Sequence, residues 1–189
     1  MQKHIPVVAV KDLDEARKVF TALLKDGIPC AEVTFRTACA EDAIRLCVKE
    51  FPDMEVGAGT VINARQAKRA IAAGATFIVS PGLSVEVAKV CKKKNIPYIP
   101  GCVTPTEIMQ AISLGITTVK FFPANVYGGL SAIKALAAPF PQVTFVPTGG
   151  VDEKNMDEFF AFPKIVAVGG SFFVKNALKR LEEKESKEN

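Results

Sequence analysis

Eight strand-like segments alternate with eight helix-like segments along the 189 residues, a pattern that predicts an α/β fold with a parallel sheet. Eight such units most simply close into a (β/α)8 (TIM) barrel, although the short chain requires short loops. A third observation is the alternation of polar and apolar residues in the second strand. We therefore expect a single barrel domain over residues 1–189, with a doubly wound open sheet as the alternative.

The first unit combines the apolar strand IPVVAV, after His4, with an amphipathic helix over 12–25 that Gly27 ends. The later strands are expected at 30–35, 55–61, 76–80, 97–103, 117–122, 143–147 and 165–170. The helices between them are expected near 39–50, 64–73, 84–94, 105–114, 129–138 and 152–161. A last helix follows Ser171, and its charged end, 182–189, is expected to fray.

Composition excludes several classes of protein. Hydrophobic residues make up 49% of the chain and charged residues 23%, which suits one well-buried domain. The net charge of +4 comes from scattered residues, so we expect no nucleic-acid partner. The apolar run IPVVAV is too short for a membrane span or a signal sequence, and we expect a cytoplasmic protein. A single histidine and five cysteines without a CxxC pair suggest neither a metal site nor a disulfide framework.

Lys120 stands near the end of an otherwise apolar strand, TTVKFF, which Pro123 terminates. Loss of hydration among apolar groups disfavours the charged ammonium, and a neutral amine can attack a ketone to form a Schiff base. The alternative is an ordinary lysine whose stem follows the sheet towards solvent. Lys164 also borders an apolar strand, but it enters that strand, whereas barrel enzymes build their sites at the carboxyl ends.

In the second strand, Glu32, Thr34 and Arg36 share one parity, and the intervening residues are apolar. Side chains alternate across a strand, so in a barrel the polar set would face the interior. The same argument turns Lys120 inward and predicts that Glu32 and Lys120 meet there. On the alternative open sheet, these polar residues would simply face solvent.

Glycine-bearing segments end several strands, notably GAGTV at 57–61, PTGGV at 147–151 and VGGS at 168–171. The last two end strands seven and eight, where barrels commonly hold phosphate with backbone N–H groups and a helix N-terminus. Glycine also makes ordinary tight turns, which is the simpler alternative for each loop taken singly.

Taken together, these segments resemble the class I aldolases that cleave 2-keto-3-deoxy-6-phosphogluconate (KDPG) and often 4-hydroxy-2-oxoglutarate. The resemblance covers nearly the whole chain and rests on segments in family order: EVTFRT at 32–37, GAGTV at 57–61, SPG at 80–82, PGCVTPTE at 100–107, VKFFPA at 119–124, PTGGV at 147–151 and VGGS at 168–171. It implies a (β/α)8 barrel, commonly a homotrimer, that needs no metal or organic cofactor.

Carried over by motif, the resemblance implies that Lys120 is the Schiff-base lysine and Glu32 the proton shuttle. Arg36 and Thr60 would hold the pyruvyl carboxylate, and Thr148 offers a hydroxyl near the substrate C4 group. The remaining implied residues are Pro81 and Phe122 in the pocket wall, and Gly149, Gly150, Gly170 and Ser171 around the phosphate of a 2-keto acid phosphate substrate.

The chain departs from the family pattern at two points. Longer members often begin with an extra helix that is missing here, which puts closure of the lower end of the barrel in doubt. Phe172 also replaces the tryptophan that commonly follows VGGS. Other functions stay open at this point: an aldolase for the galacto epimer, another phosphosugar barrel such as an isomerase, or a phosphosugar-binding barrel without aldol activity.

Overall fold

The computed structural model describes residues 2–188, and the side chains of these as far as 186. This part of the chain contains eight strands and eight helices in strict alternation. The strands are β1 (His4–Val8), β2 (Cys30–Thr34), β3 (Glu55–Gly59), β4 (Ile78–Val79), β5 (Tyr98–Ile99), β6 (Thr118–Phe121), β7 (Thr144–Pro147) and β8 (Val168–Gly170). The helices are α1 (Leu13–Lys25), α2 (Ala40–Glu50), α3 (Ala64–Ala73), α4 (Val85–Lys94), α5 (Pro105–Ser113), α6 (Gly129–Ala137), α7 (Met156–Phe160) and α8 (Phe172–Glu188).

The strands form a curled parallel sheet in two ladders. Six strands pair in the order β5-β4-β3-β2-β1-β8, and β6 pairs with β7. Isolated parallel bridges lie between the ladders: Gly101 with Lys120 on one side, and Thr148 with Gly169 on the other. At the first bridge the Lys120 N–H donates to the Pro100 carbonyl at 2.8 Å, and the Cys102 N–H donates to the Lys120 carbonyl at 2.9 Å. The predicted α/β fold with a parallel sheet is therefore confirmed.

Several elements are shorter than the sequence suggests. The fifth strand was predicted over 97–103, but β5 contains only Tyr98 and Ile99. Pro97 and Pro100 flank this dipeptide, and proline has no N–H to donate to a ladder. Helix α7 begins at Met156 rather than at 152 because the preceding residues form a turn, in which the Asp152 N–H donates to the Asn155 side chain at 2.9 Å.

The charged end of the chain lies in helix α8, and the fraying expected for 182–189 stays a prediction. Helix α8 continues through Glu188, and Asn189 lies outside the described residues. Ion pairs hold this end of the helix: Lys18 of α1 contacts Glu182 at 2.9 Å, and Lys179 contacts Glu183 one turn along at 3.7 Å. Such pairs favour a helix among residues that bury little apolar surface.

The core has a layer inside the curl and a layer between sheet and helices. Ala31 and Val33 of β2 pack into the apolar cluster formed with helices α1 to α4. Cys30, of the opposite parity, belongs instead to the inner cluster, which comprises Ile5, Cys30, Phe77, Val79, Ile99, Val146 and Ala167. Since Glu32 shares the parity of Cys30, its side chain lies on the inner face of the sheet.

The amino-terminal end of the strands is open. A cavity of about 520 Å³ lies there, and its lining includes Ile5, Cys30, Glu55, Phe77 and Thr118, which stand at or near the starts of their strands. No helix within residues 2–188 combines the length and the apolar character of a membrane span.

Candidate active site

Lys120 is the third residue of β6 and is buried, with 7% of its surface exposed. Its Nζ lies 3.4 Å from Oε1 of Glu32, which is 2% exposed. Strands β2 and β6 belong to different ladders, so this contact crosses the interior of the curled sheet. The predicted meeting of Glu32 and Lys120 inside the fold is confirmed.

The position of the Glu32 carboxyl depends on a glycine in the neighbouring strand. Gly59, the last residue of β3, lies beneath that carboxyl, and a Cβ built at Gly59 would collide with the side chain of Glu32. Only a residue without a side chain leaves this space, so Gly59 makes room for the Glu32 carboxyl beside Lys120. The ring of Phe122 lies on another side of Lys120, with Nζ 5.3 Å from the ring centroid, a cation–π distance.

The arrangement suits nucleophilic catalysis assisted by an acid/base group. A lysine that has lost its hydration can attack a carbonyl carbon once its proton has moved to a neighbour. A carboxylate at 3.4 Å can take that proton and return it in later steps. Both groups are buried, so water competes little for their interaction.

Thr148, immediately after β7, is 6% exposed, and its hydroxyl has no hydrogen-bond partner among residues 2–188. It packs against Gly169, where a Cβ would meet the Thr148 side chain. Buried hydroxyls nearly always find a partner, so one left unpaired requires an explanation. A polar group of a bound ligand would supply the partner.

The PTGGV loop, residues 147–151, exposes backbone N–H donors at the carboxyl end of β7. Gly149 and Gly150 adopt left-handed φ values of 87° and 79°. In the described part of the chain, neither Gly150 nor Val151 donates its backbone N–H to any group. Ser171 is exposed and directly precedes α8, whose first N–H groups lack partners within the helix. Gly170 is buried beside it.

The other predicted residues stand at or beyond the carboxyl ends of strands. Arg36 is exposed beyond β2 and makes no hydrogen bond or ion pair with any residue the structure describes. Thr60 follows β3 with a φ of 55°, which is unusual for a residue with a side chain and typical of functional sites. Pro81 is exposed beyond β4, and Phe122 is 38% exposed beyond β6.

Sequence reasoning missed three residues that shape this end of the fold. Gly59 appears in GAGTV but its role under Glu32 was not foreseen. The Asn125 side chain fills the space above Gly150, and the Asn155 Nδ2 donates to the Gly150 carbonyl at 2.9 Å. An asparagine shortly before a helix is a known capping signal, and this could have drawn attention to Asn155.

The buried thiols of Cys30 and Cys102 are unsuited to nucleophilic chemistry. Burial raises the pKa of Cys30 and of Cys102 to about 12, so both remain protonated at neutral pH. No cluster of three or more His, Cys, Asp or Glu side chains that could hold a metal ion occurs within the described residues.

Comparison with known proteins agrees with this geometry. The family model described as KDPG and KHG aldolase matches residues 1–187. The 2-dehydro-3-deoxy-phosphogluconate aldolase of Treponema pallidum is 46% identical over 170 residues, 90% of this chain and 81% of the relative. The KHG/KDPG aldolase of Escherichia coli K12 is 44% identical over 170 residues, 90% of this chain and 80% of the relative.

A solved structure extends the likeness to three dimensions. The KDPG aldolase of Legionella pneumophila, crystallised with pyruvate captured at low pH as a covalent carbinolamine intermediate, matches with a TM-score of 0.89 and 41% identity. The match covers 95% of this chain and 88% of that one. The chain therefore belongs to the KDPG and KHG aldolase family, and it is an aldolase, a carbon–carbon lyase.

Proposed function

We propose that the protein cleaves KDPG to pyruvate and glyceraldehyde 3-phosphate through a Schiff base on Lys120. The observation that carries this proposal is the buried contact of 3.4 Å between Lys120 and Glu32. The relative captured as a covalent pyruvate carbinolamine supports the same chemistry. Within the proposal, Lys120 and Glu32 are the catalytic residues.

The reaction begins when the Lys120 amine attacks the C2 ketone and water leaves, forming an iminium ion. Glu32, directly or through a water molecule, takes the proton of the C4 hydroxyl. The C3–C4 bond then breaks, its electrons pass into the iminium to form an enamine, and glyceraldehyde 3-phosphate departs. Glu32 returns a proton to C3, and hydrolysis of the iminium releases pyruvate. Proton transfer of this kind contributes about 10² to 10⁴ in rate.

The keto acid end of the substrate is assigned to Arg36 and Thr60. A guanidinium donates two parallel hydrogen bonds to a carboxylate, and the absence of a protein partner for Arg36 within residues 2–188 leaves its donors available. Pro81 and Phe122 line the pocket around the ketone. Thr148, whose buried hydroxyl has no partner in the described chain, is assigned to the substrate C4 hydroxyl.

The phosphate is assigned to Gly149, Gly150, Gly170 and Ser171. Unpaired N–H groups in the PTGGV loop and the N-terminus of α8 both favour an anion there. These groups favour the phosphorylated substrate over 4-hydroxy-2-oxoglutarate, which the protein would cleave more slowly to pyruvate and glyoxylate. Values of kcat/KM for KDPG, its galacto epimer and 4-hydroxy-2-oxoglutarate will rank the three.

Barrel closure, the number of subunits and the cellular location are also proposed. We infer one domain whose strands close into a (β/α)8 barrel, because isolated bridges join Gly101, just after β5, to β6 and Thr148, just after β7, to β8. We also infer a cytoplasmic homotrimer, as the family resemblance implies. Exposed apolar side chains, such as Val126 at 72% and Tyr127 at 52%, supply surface for subunit contacts. A monomer in sedimentation at micromolar concentration would reject the trimer.

Borohydride reduction in the presence of pyruvate tests the central proposal. A three-carbon adduct should form on Lys120, located by peptide mapping, and should be lost in Lys120→Met. Lys164→Met is the matched control, because Lys164 lies before its strand and donates to the Pro141 carbonyl. An isomerase would give no adduct, and a binding protein would take up KDPG without releasing pyruvate in a lactate dehydrogenase assay. Either result refutes the proposal.

A further inference from the structure

Three consecutive carbonyls of the PTGGV loop are held by hydrogen bonds. The Thr148 carbonyl accepts from the Ala124 N–H at 2.9 Å, and the Gly149 carbonyl accepts from the Asn125 N–H at 3.1 Å. The third, that of Gly150, accepts from the Asn155 side chain at 2.9 Å. The loop is therefore fixed on one side by main-chain groups, and at its last carbonyl by a single side chain.

Each of these bonds also orients an N–H group. In a trans peptide unit the carbonyl and the following N–H point in opposite directions. Because the Gly149 carbonyl faces the Asn125 N–H, the Gly150 N–H points away from the segment between β6 and α6. In the same way, because the Gly150 carbonyl faces the Asn155 side chain, the Val151 N–H points away from Asn155. Successive unpaired N–H groups in a turn form a concave site for an anion.

The Asn155 side chain is itself held in place. Its Oδ1 accepts the Asp152 N–H at 2.9 Å while its Nδ2 donates to the Gly150 carbonyl. The Asp152 carboxylate accepts a hydrogen bond from the Lys154 N–H at 2.8 Å. One asparagine thus closes the turn between the glycine pair and α7, with both ends of its amide in use.

We propose that Asn155 is a positioning residue for the substrate phosphate and that the Val151 N–H, which it orients, is a further phosphate donor. This rests on the proposed function and extends the set drawn from sequence, which contains neither residue. Asn155 acts through the loop and does not touch the phosphate. Its loss should therefore weaken binding of phosphate groups and leave the chemistry at Lys120 unchanged.

The test compares Asn155→Ala with Asn63→Ala. Asn63 caps α3 with an equivalent bond, its Oδ1 accepting the Gln66 N–H at 2.9 Å, so both variants lose asparagine contacts to the backbone. For Asn155→Ala we expect KM for KDPG to rise about two- to tenfold, the value of one hydrogen bond. The kcat for KDPG, the kcat/KM for 4-hydroxy-2-oxoglutarate and borohydride trapping of pyruvate should match those of Asn63→Ala.

Binding of inorganic phosphate, measured by calorimetry, separates this inference from the aldolase assignment. Asn155→Ala should raise the dissociation constant of phosphate by the same factor by which it raises KM for KDPG. Asn63→Ala should leave that dissociation constant unchanged. Asn155→Asp keeps the acceptor for Asp152 but cannot donate to Gly150, so it should lose phosphate affinity even if Asn155→Ala folds poorly. Unchanged phosphate affinity, equal losses on both substrates, or no phosphate binding by the wild-type protein would overturn the inference. Pyruvate trapped on Lys120 would still uphold the aldolase in each case.

Discussion

Removing one partner of the Lys120–Glu32 pair should cost far more stability than removing both. The two side chains are 8% and 3% exposed, so Lys120→Met leaves a buried carboxylate without its cation. At 3.4 Å and an effective dielectric constant of about 20, the attraction lost is about 5 kcal/mol. Breaking buried pairs typically costs about 3–5 kcal/mol, while replacing both charges is often close to neutral.

The assay is urea unfolding at pH 7 of the wild type, Lys120→Met, Glu32→Gln and the double variant. We expect each single variant to lose about 3 kcal/mol and the double variant to recover most of it. A coupling energy below about 0.5 kcal/mol would mean that no close buried pair exists, and would refute the reasoning.

The same variants separate the two catalytic roles. Lys120→Met should abolish turnover and borohydride trapping. Glu32→Gln should still trap pyruvate, although more slowly, while cleavage and the exchange of pyruvate methyl protons with deuterated solvent fall about 10² to 10⁴-fold. Exchange at the wild-type rate in Glu32→Gln would require a different proton shuttle.

Three further predictions concern the phosphate end, the thiols and the helix surface. Ser171→Glu should raise KM for KDPG much more than for 4-hydroxy-2-oxoglutarate, since only the former brings a phosphate to the new charge; equal losses would remove Ser171 from the phosphate site. Cys39 is half-buried and the other four cysteines are buried, so an aromatic disulfide reagent at pH 8 should titrate one thiol quickly in the native protein; two or more fast thiols would contradict this. Hydrogen bonds from Arg69, at 2.7 Å, and from Arg45 lower the pKa of Glu41 in the folded protein. The contribution of Glu41 to stability is therefore present above its pKa in the unfolded chain, about 4.3, and is lost as the pH falls through the folded pKa. Glu41→Gln should therefore lower stability by about 1 kcal/mol at pH 7 and much less at pH 3, and a loss independent of pH would reject the assignment.

Local patterns in the sequence were sufficient to predict the alternating elements and the places of single candidate residues within them. A lysine within an apolar strand, a polar parity in β2 and glycines after β7 are properties of a few adjacent residues, and each was found in the predicted place. Element lengths were less predictable, because β5 is limited by the prolines on either side and the end of α8 depends on a partner in α1.

The contacts between these residues were decided by the tertiary structure. Glu32 and Lys120 are 88 positions apart, and their separation of 3.4 Å depends on how far the sheet curls. The space for the Glu32 carboxyl comes from Gly59 on another strand, and the Gly150 carbonyl is held by Asn155 from the turn before α7. Side-chain parity states only which face of a strand a residue occupies. The distance across the interior depends on the packing of every strand between the two. The sequence of a single strand therefore does not determine that distance.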